Sequence, residues 1–198
     1  MTSPLDAVDW PARTARLTLR PATPDDAEPT WRYHRLPDVG RWITRAPATF
    51  EDYLLAFEDP ERLAKTLVVE RGTEIIGDLM LAVEDAWAQA EILEPARGVH
   101  AELGWILHPG HAGHGYATEA VRELLRICFE DLGLRRVTAA CFADNEPSWR
   151  LMERVSMRRE VYTVRDSLHR DGQWLDGIGY ALLADEWRSA QRTLEAGR

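Results

Sequence analysis

Leu107-His108-Pro109-Gly110-His111-Ala112-Gly113-His114-Gly115-Tyr116-Ala117-Thr118-Glu119-Ala120 decides the reading of this chain. A strand-like run, residues 102–107, leads into it, and a run with helical spacing leaves it and continues to about residue 132. A strand that opens through glycines into a helix start suits an anion. The first helical N–H groups have no internal partners, and the helix dipole places partial positive charge beside them. Glycines let the backbone approach a ligand without an intervening side chain. The expected ligand therefore carries phosphates.

Two nucleotide patterns fit poorly. Gly110 and Gly115 have the spacing of a P-loop, but Tyr116-Ala117 stands where Lys-Ser/Thr would hold phosphate and Mg²⁺. A dinucleotide fingerprint would follow the first strand of a parallel unit. Here Gly113 and Gly115 are followed by Thr118, mid-chain and after a hairpin signal.

The 198 residues fit one domain, expected over 15–188 between a loose N-terminal tail, 1–14, and a C-terminal tail, 189–198. The chain lacks an apolar run long enough for a membrane span and a basic-then-apolar leader, so a cytoplasmic protein without a membrane partner is expected. Cys128 and Cys141 fall in apolar patterns and are expected as buried free thiols. A net charge of −9 argues against a nucleic-acid partner, which needs clustered Lys and Arg.

Strands are expected at 16–20, 64–70, 74–83, 136–143, 158–167 and 173–183 in addition to 102–107. Thr23-Pro24 starts a helix reaching Leu36, and Thr49 caps a second helix through Phe57. Residues 38–48 read as a loop and 84–100 as an irregular acidic insertion. Pro147 opens a helix through Val155. Hairpins plus a strand–helix–strand crossover make a mixed α/β (α+β) domain.

The segment Gly113-His114-Gly115-Tyr116-Ala117-Thr118-Glu119-Ala120 resembles the acetyl-CoA loop of the GNAT acyltransferase superfamily. Leu17-Thr18-Leu19-Arg20-Pro21 with Asp25-Asp26-Ala27 resembles the start of its ribosomal-protein N-terminal (alanine) acetyltransferase-like branch. Asn145-Glu146-Pro147-Ser148-Trp149 resembles that branch's second cofactor segment, and Gln173-Trp174-Leu175-Asp176 with Glu186-Trp187 its ending. The resemblance implies a central mixed, mostly antiparallel sheet of about seven strands, splayed at the middle, with helices on both faces. Gly110 stands where Gln or Arg is usual, and Val155-Ser156 where Leu-Gly is usual.

The implied reaction moves acetyl from acetyl-CoA to a primary amine, on a protein N-terminus or a small molecule. Its cofactor contacts would come from Trp105, Leu107, His111, Ala112, Gly113, His114, Gly115, Tyr116, Ala117, Asn145 and Ser148. Neutralising a lysine at pH 7 costs about 4–5 kcal/mol and an α-amine about 1. By resemblance the Leu107 amide is the candidate oxyanion donor and Ser148 the candidate proton donor to the thiolate. Many members carry a tyrosine four residues beyond Ser148, where Met152 has no proton to give. Glu102 is the candidate proton acceptor for the amine, against the simpler reading of a solvated strand-end residue. Asn145 also suits a helix cap, and Glu119 a structural place in a first helical turn.

His108, His111 and His114 have no standard zinc spacing, so no metal is expected. Trp31, Trp42 and Trp174 are candidates for an acceptor pocket. Exposed sheet edges are compatible with a homodimer. A non-catalytic acyl-CoA-binding or regulatory module on the same scaffold is the alternative.

Overall fold

The computed structural model describes residues 3–196, with side chains described through residue 192. Its strands are β1 (Ala12–Arg13), β2 (Thr18–Pro21), β3 (Thr66–Arg71), β4 (Glu74–Glu84), β5 (His100–Leu107), β6 (Arg136–Phe142), β7 (Arg158–Leu168) and β8 (Trp174–Leu183). They form one sheet in the order β1-β2-β3-β4-β5-β6-β8-β7. The helices are α1 (Ala27–His34), α2 (Pro37–Gly40), α3 (Phe50–Phe57), α4 (Pro60–Leu63), α5 (Tyr116–Arg126), α6 (Glu146–Arg154) and α7 (Ala184–Ala196). Every neighbouring pair of strands is antiparallel except β5 and β6.

That exception creates the site. β5 and β6 run parallel and pair only over His100↔Arg136, Ala101↔Val137 and Glu102↔Thr138. Beyond these, β5 stays with β4 as far as Leu107, while β6 stays with β8 as far as Phe142. The two halves of the sheet therefore part, leaving a wedge at the C-terminal ends of both strands.

α5 makes the crossover between them. Its Ala120, Val121, Leu124 and Leu125 lie on one face and are buried against sheet residues such as Leu81, Leu103 and Val137. The helix does not continue regularly to residue 132 as its apolar spacing implies. It widens into a π turn over Ile127–Asp131, with the Leu132 N–H donating to the Ile127 carbonyl at 2.9 Å. Gly133 then turns the chain in the left-handed region, φ +64°.

The other face of the sheet is covered by α1 and α3, where Ala27, Tyr53 and Phe57 form a second buried cluster. Thr49 caps α3 as its sequence predicts, accepting from the Asp52 N–H at 3.1 Å. α1 stops at His34 rather than Leu36, and Pro37 starts the separate short α2 in the expected loop.

The N-terminal segment is not a loose tail. Ser3 caps a 3₁₀ turn over Pro4–Ala7, which places Leu5 in the core at 3% exposure. Ala12–Arg13 pairs with β2 and supplies the eighth strand. At the other end α7 continues through the expected C-terminal tail to Ala196. Residues 1–2 and 197–198 of the two expected tails lie outside the described residues. No helix among the described residues is long and apolar enough to cross a membrane.

Candidate functional site

The Gly loop meets the wedge at one end. Pro109–His111 forms a 3₁₀ turn in which the His111 and Ala112 N–H groups donate to the His108 and Pro109 carbonyls. These two amides, expected to face a phosphate, are thus engaged within the turn. Gly113 and Gly115 take φ +79° and +78°, and the first recorded amide bond of the helix is Glu119 to the Gly115 carbonyl. The N–H groups of residues 113–118 have no recorded backbone acceptor, so the run of unbonded amides begins at Gly113.

The histidines of the loop organise it. His108 Nδ1 accepts from the Gly110 N–H at 2.9 Å, and His111 Nε2 lies 3.3 Å from Glu74. From outside, Arg16 donates to the His114 carbonyl at 3.0 Å and stacks 4.6 Å from the Tyr116 ring centre. Arg71 approaches the same ring at 5.3 Å. Two guanidinium groups therefore flank a loop whose own sequence lacks Lys and Arg.

β5 offers its backbone to the wedge. The His108 N–H bonds to Ile76 on β4 at 2.8 Å, and antiparallel pairing alternates direction residue by residue. Leu107, Trp105 and Leu103 therefore turn their N–H and C=O groups away from β4, toward the opening. Leu107 lines a groove of about 1180 Å³ together with Gly113, Gly115 and Tyr116. Trp105 and Leu103 line a second space, a cleft of about 750 Å³, with Glu102, Asn145 and Ser148.

The far wall of this cleft comes from β6 and α6. Asn145 precedes α6 but makes no capping bond with its side chain, which leaves the amide to the cleft. Ser148 is one turn further on, and the Cys141 thiol lies on the same cleft wall. Burial pushes that thiol's pKa up, partly offset by the Ser148 hydroxyl and the Trp149 backbone. Cys128 is fully buried, whereas Cys141 is half-buried on the cleft wall, so only the first matches its expected environment. Met152 is fully buried and contributes no polar group.

Glu102 stands on the cleft face of β5, with Met80 and Gly104 beside it. Burial raises its carboxyl pKa, Glu84 raises it further, and Lys65 pulls it down. Lys65, the one lysine of the chain, also lines the cleft. The acidic insertion closes on itself: Asp85 accepts from the Gly98 N–H at 2.7 Å, and Ala86 N–H donates to Ala96 at 2.7 Å. Of the three tryptophans, Trp42 lines the cleft. Trp31 packs on Phe50 and Tyr53, and Trp174 is exposed on β8.

Sequence reasoning missed a polar cluster in the same cleft. Asp78 on β4 accepts from the Tyr33 hydroxyl at 2.7 Å and lies 2.8 Å from His34 Nε2. All three residues are buried, and Asp78 and His34 line the cleft. The available signal was Asp78 itself, a charged residue inside an otherwise apolar strand.

The matches to known proteins follow the same segments. A family model described as acetyltransferase (GNAT) domain matches residues 16–158. The chain is 36% identical over 86 residues to the uncharacterized N-acetyltransferase YnaD of Bacillus subtilis (strain 168). That alignment covers 43% of this chain and 50% of that protein, so the match spans half of the relative's length. To the uncharacterized N-acetyltransferase p20 of Bacillus licheniformis it is 29% identical over 182 residues, 88% of this chain and 96% of that protein. A solved acetyltransferase (GNAT family) from Bacillus anthracis superposes with a TM-score of 0.74 at 29% identity, covering 88% of this chain and 98% of that one.

Proposed function

Because the chain belongs to the GNAT acetyltransferase family, we propose that it moves the acetyl group of acetyl-CoA to a primary amine by direct attack in a ternary complex. The acceptor is a protein N-terminus or a small amine. The observation that carries this reading is the junction of the β5–β6 wedge with the free N–H groups of residues 113–118. A pyrophosphate on that cradle aims a long arm down the wedge, along amides that have no strand partner.

In this reading the cradle is formed by Gly113, His114, Gly115, Tyr116 and Ala117. His111 and Ala112 shape the turn beneath it. The Leu107 and Trp105 amides hold the acylated arm, and Asn145 meets it from the other wall. Leu107 and Glu102 cannot serve the same carbonyl directly. Five residues of extended strand separate them, about 16 Å. Trp105 lies about 10 Å from Glu102 by the same rise. A carbonyl held at Trp105 leaves room for an amine and one water before Glu102, so the Trp105 amide is the better oxyanion donor and Leu107 holds the arm nearer the phosphates.

The ammonium first loses a proton to a cleft carboxylate. The neutral amine attacks, the C–N bond forms, and the carbonyl oxygen takes negative charge. Collapse breaks the C–S bond. The sulfur leaves as a thiolate and receives a proton, for which Ser148 is the nearest hydroxyl proposed, while the amide nitrogen gives up its surplus proton. Amine, thioester and products then balance, with one proton released to solvent.

Two measurements test the reading. Calorimetric titration with acetyl-CoA should show saturable binding, and its absence at millimolar ligand defeats the proposal. Thiol release should follow addition of an amine panel containing alaninamide, benzylamine and lysine. Tight binding without thiol release from any of them would favour a non-catalytic acyl-CoA-binding module.

A further inference from the structure

We infer that Asp78 is the carboxylate that receives the acceptor's ammonium group, with Tyr33 and His34 as the residues that position it. The inference rests on the acetyltransferase reading above and names a residue that reading does not require.

The argument begins with register. Asp78 pairs with Ile106, so it sits one position from both Leu107 and Trp105, across a strand spacing of about 4.8 Å. Its side chain shares a sheet face with Met80, Gly104 and Glu102. Glu102 is four residues back from Ile106 on the same face, about 13 Å away. Asp166 reaches the cleft from β7, with β6 and β8 between it and β5. Asp78 is therefore the cleft carboxylate nearest to the Trp105 and Leu107 amides.

Hydrogen bonding then divides the carboxylate in two. Both recorded donors, the Tyr33 hydroxyl and His34 Nε2, converge on Oδ1. Oδ2 has no recorded partner, and among the described residues no fully buried side-chain oxygen lacks one, so Oδ2 opens to the cleft. The His34 ring is clamped between Tyr33 and Tyr53, at centroid distances of 5.1 and 5.0 Å. Tyr53 is itself anchored by donating to Thr30 at 2.8 Å. Burial pushes the Tyr33 hydroxyl pKa well up, with Asp78 adding to the shift, so the hydroxyl remains a donor.

An anion braced on one oxygen and open on the other is preorganised for a cation. A primary ammonium can give Oδ2 one N–H bond and then transfer that proton to the carboxylate. The Tyr33 hydroxyl and His34 Nε2 both hold the carboxylate through Oδ1, which leaves Oδ2 to the ammonium. Fixing a carboxylate in a half-buried cleft spends no reorganisation at the moment of reaction.

The test uses Asp78→Asn, which keeps an oxygen for Tyr33 and His34, and His34→Gln, which keeps a donor to Asp78. Each is assayed with the amines named above and with hydroxylamine, whose nitrogen is largely unprotonated at neutral pH and needs no base. Asp78→Asn should lower kcat/KM for the amines by about 100-fold, with acetyl-CoA affinity and hydroxylamine turnover retained. His34→Gln should follow in the same direction with a smaller loss. Amine turnover by Asp78→Asn equal to wild type overturns the inference alone. Equal loss with amines and hydroxylamine also overturns it, in favour of a purely structural role. A wild-type chain that binds acetyl-CoA but acylates no amine defeats the catalytic reading together with the inference.

Discussion

The Arg16 guanidinium stands 2.6 Å from the Glu119 carboxylate and so ties the N-terminal segment to the first turn of α5. Thr14 adds a 2.6 Å bond from its hydroxyl to the same carboxylate, and the Arg16 N–H another at 2.9 Å. The same guanidinium reaches the His114 carbonyl inside the Gly loop. Glu119 is thereby a structural residue whose partners lie about a hundred positions away, and the segment before β2 is part of the apparatus that shapes the loop.

Glu119→Gln should therefore destabilise the fold by about 1–2 kcal/mol, the range for a hydrogen bond to a charged group discounted for the exposure of Arg16. Burial alone would raise the Glu119 carboxyl pKa, but the bonds from Thr14 and Arg16 outweigh it and hold it below the usual range. The stabilisation is complete above the ordinary glutamate pKa, about 4.3, and is lost as pH falls through the lower folded value. Thermal melts across an acid series should show the wild type and the variant converging. A constant gap in melting temperature down to the lowest pH would remove the charge from the explanation.

Ser148→Ala should lower kcat by about 10- to 100-fold, at or below the lower end of the range for general acids because a thiolate is a good leaving group. Acetyl-CoA affinity by calorimetry should stay near wild type. Burial raises the pKa of the neighbouring Cys141 thiol and keeps it protonated at neutral pH, so Cys141→Ala is the paired control. Unchanged kcat in Ser148→Ala would assign the proton to water or to the Cys141 thiol.

The acidic limb of the pH–rate profile separates Glu102 from Asp78 as the proton acceptor, because a limb set by Glu102 lies above the position of an ordinary glutamate. Burial first and Glu84 second raise its pKa, so the basic form is lost earlier as pH falls. Glu84→Gln removes the second cause and should move that limb to lower pH, leaving the plateau rate unchanged. Glu84 is exposed and carries no role in the chemistry proposed, which makes the shift specific. A limb that stays in place would detach it from Glu102.

Ser156 is a non-glycine residue at φ +67°, in the turn between α6 and β7. It occupies the position where the family resemblance leads one to expect glycine, and an L-residue in the left-handed region costs about 1–2 kcal/mol. Ser156→Gly should relieve that strain, less the greater entropy glycine loses on folding, for a net gain of about 0.5 kcal/mol. Denaturant titration would read it as a higher midpoint at constant slope. A lower midpoint would mean that the serine side chain contributes more than its backbone costs.

The parts of the fold that were legible in the sequence are those governed by local rules. Thr49 as a cap, Gly133 as a helix stop and the Gly72 hairpin each depend on a few adjacent residues. The segment before residue 15 was not legible, because Leu5, Val8 and Ala12 are ordered by a core built from distant strands. The Gly loop was legible as a glycine-bent entry to a helix, but the use of the His111 and Ala112 amides inside a 3₁₀ turn was not. That turn is set by Pro109 and by the His108 ring accepting from Gly110, which spacing alone does not reveal. The Tyr33–His34–Asp78 cluster escaped for a related reason. Its members come from a helix and a strand 44 residues apart, and each alone has an ordinary structural reading.

The composition of the cleft has a practical consequence. With one lysine against 23 arginines, Lys65 is a natural chemical tag inside the cleft proposed to take the acceptor. An amine-selective acylating reagent followed by mass spectrometry would read the occupancy of that space from a single peptide. Protection of Lys65 by a bound acceptor would locate it without a crystal, and transfer of acetyl to Lys65 itself would appear as one discrete mass step.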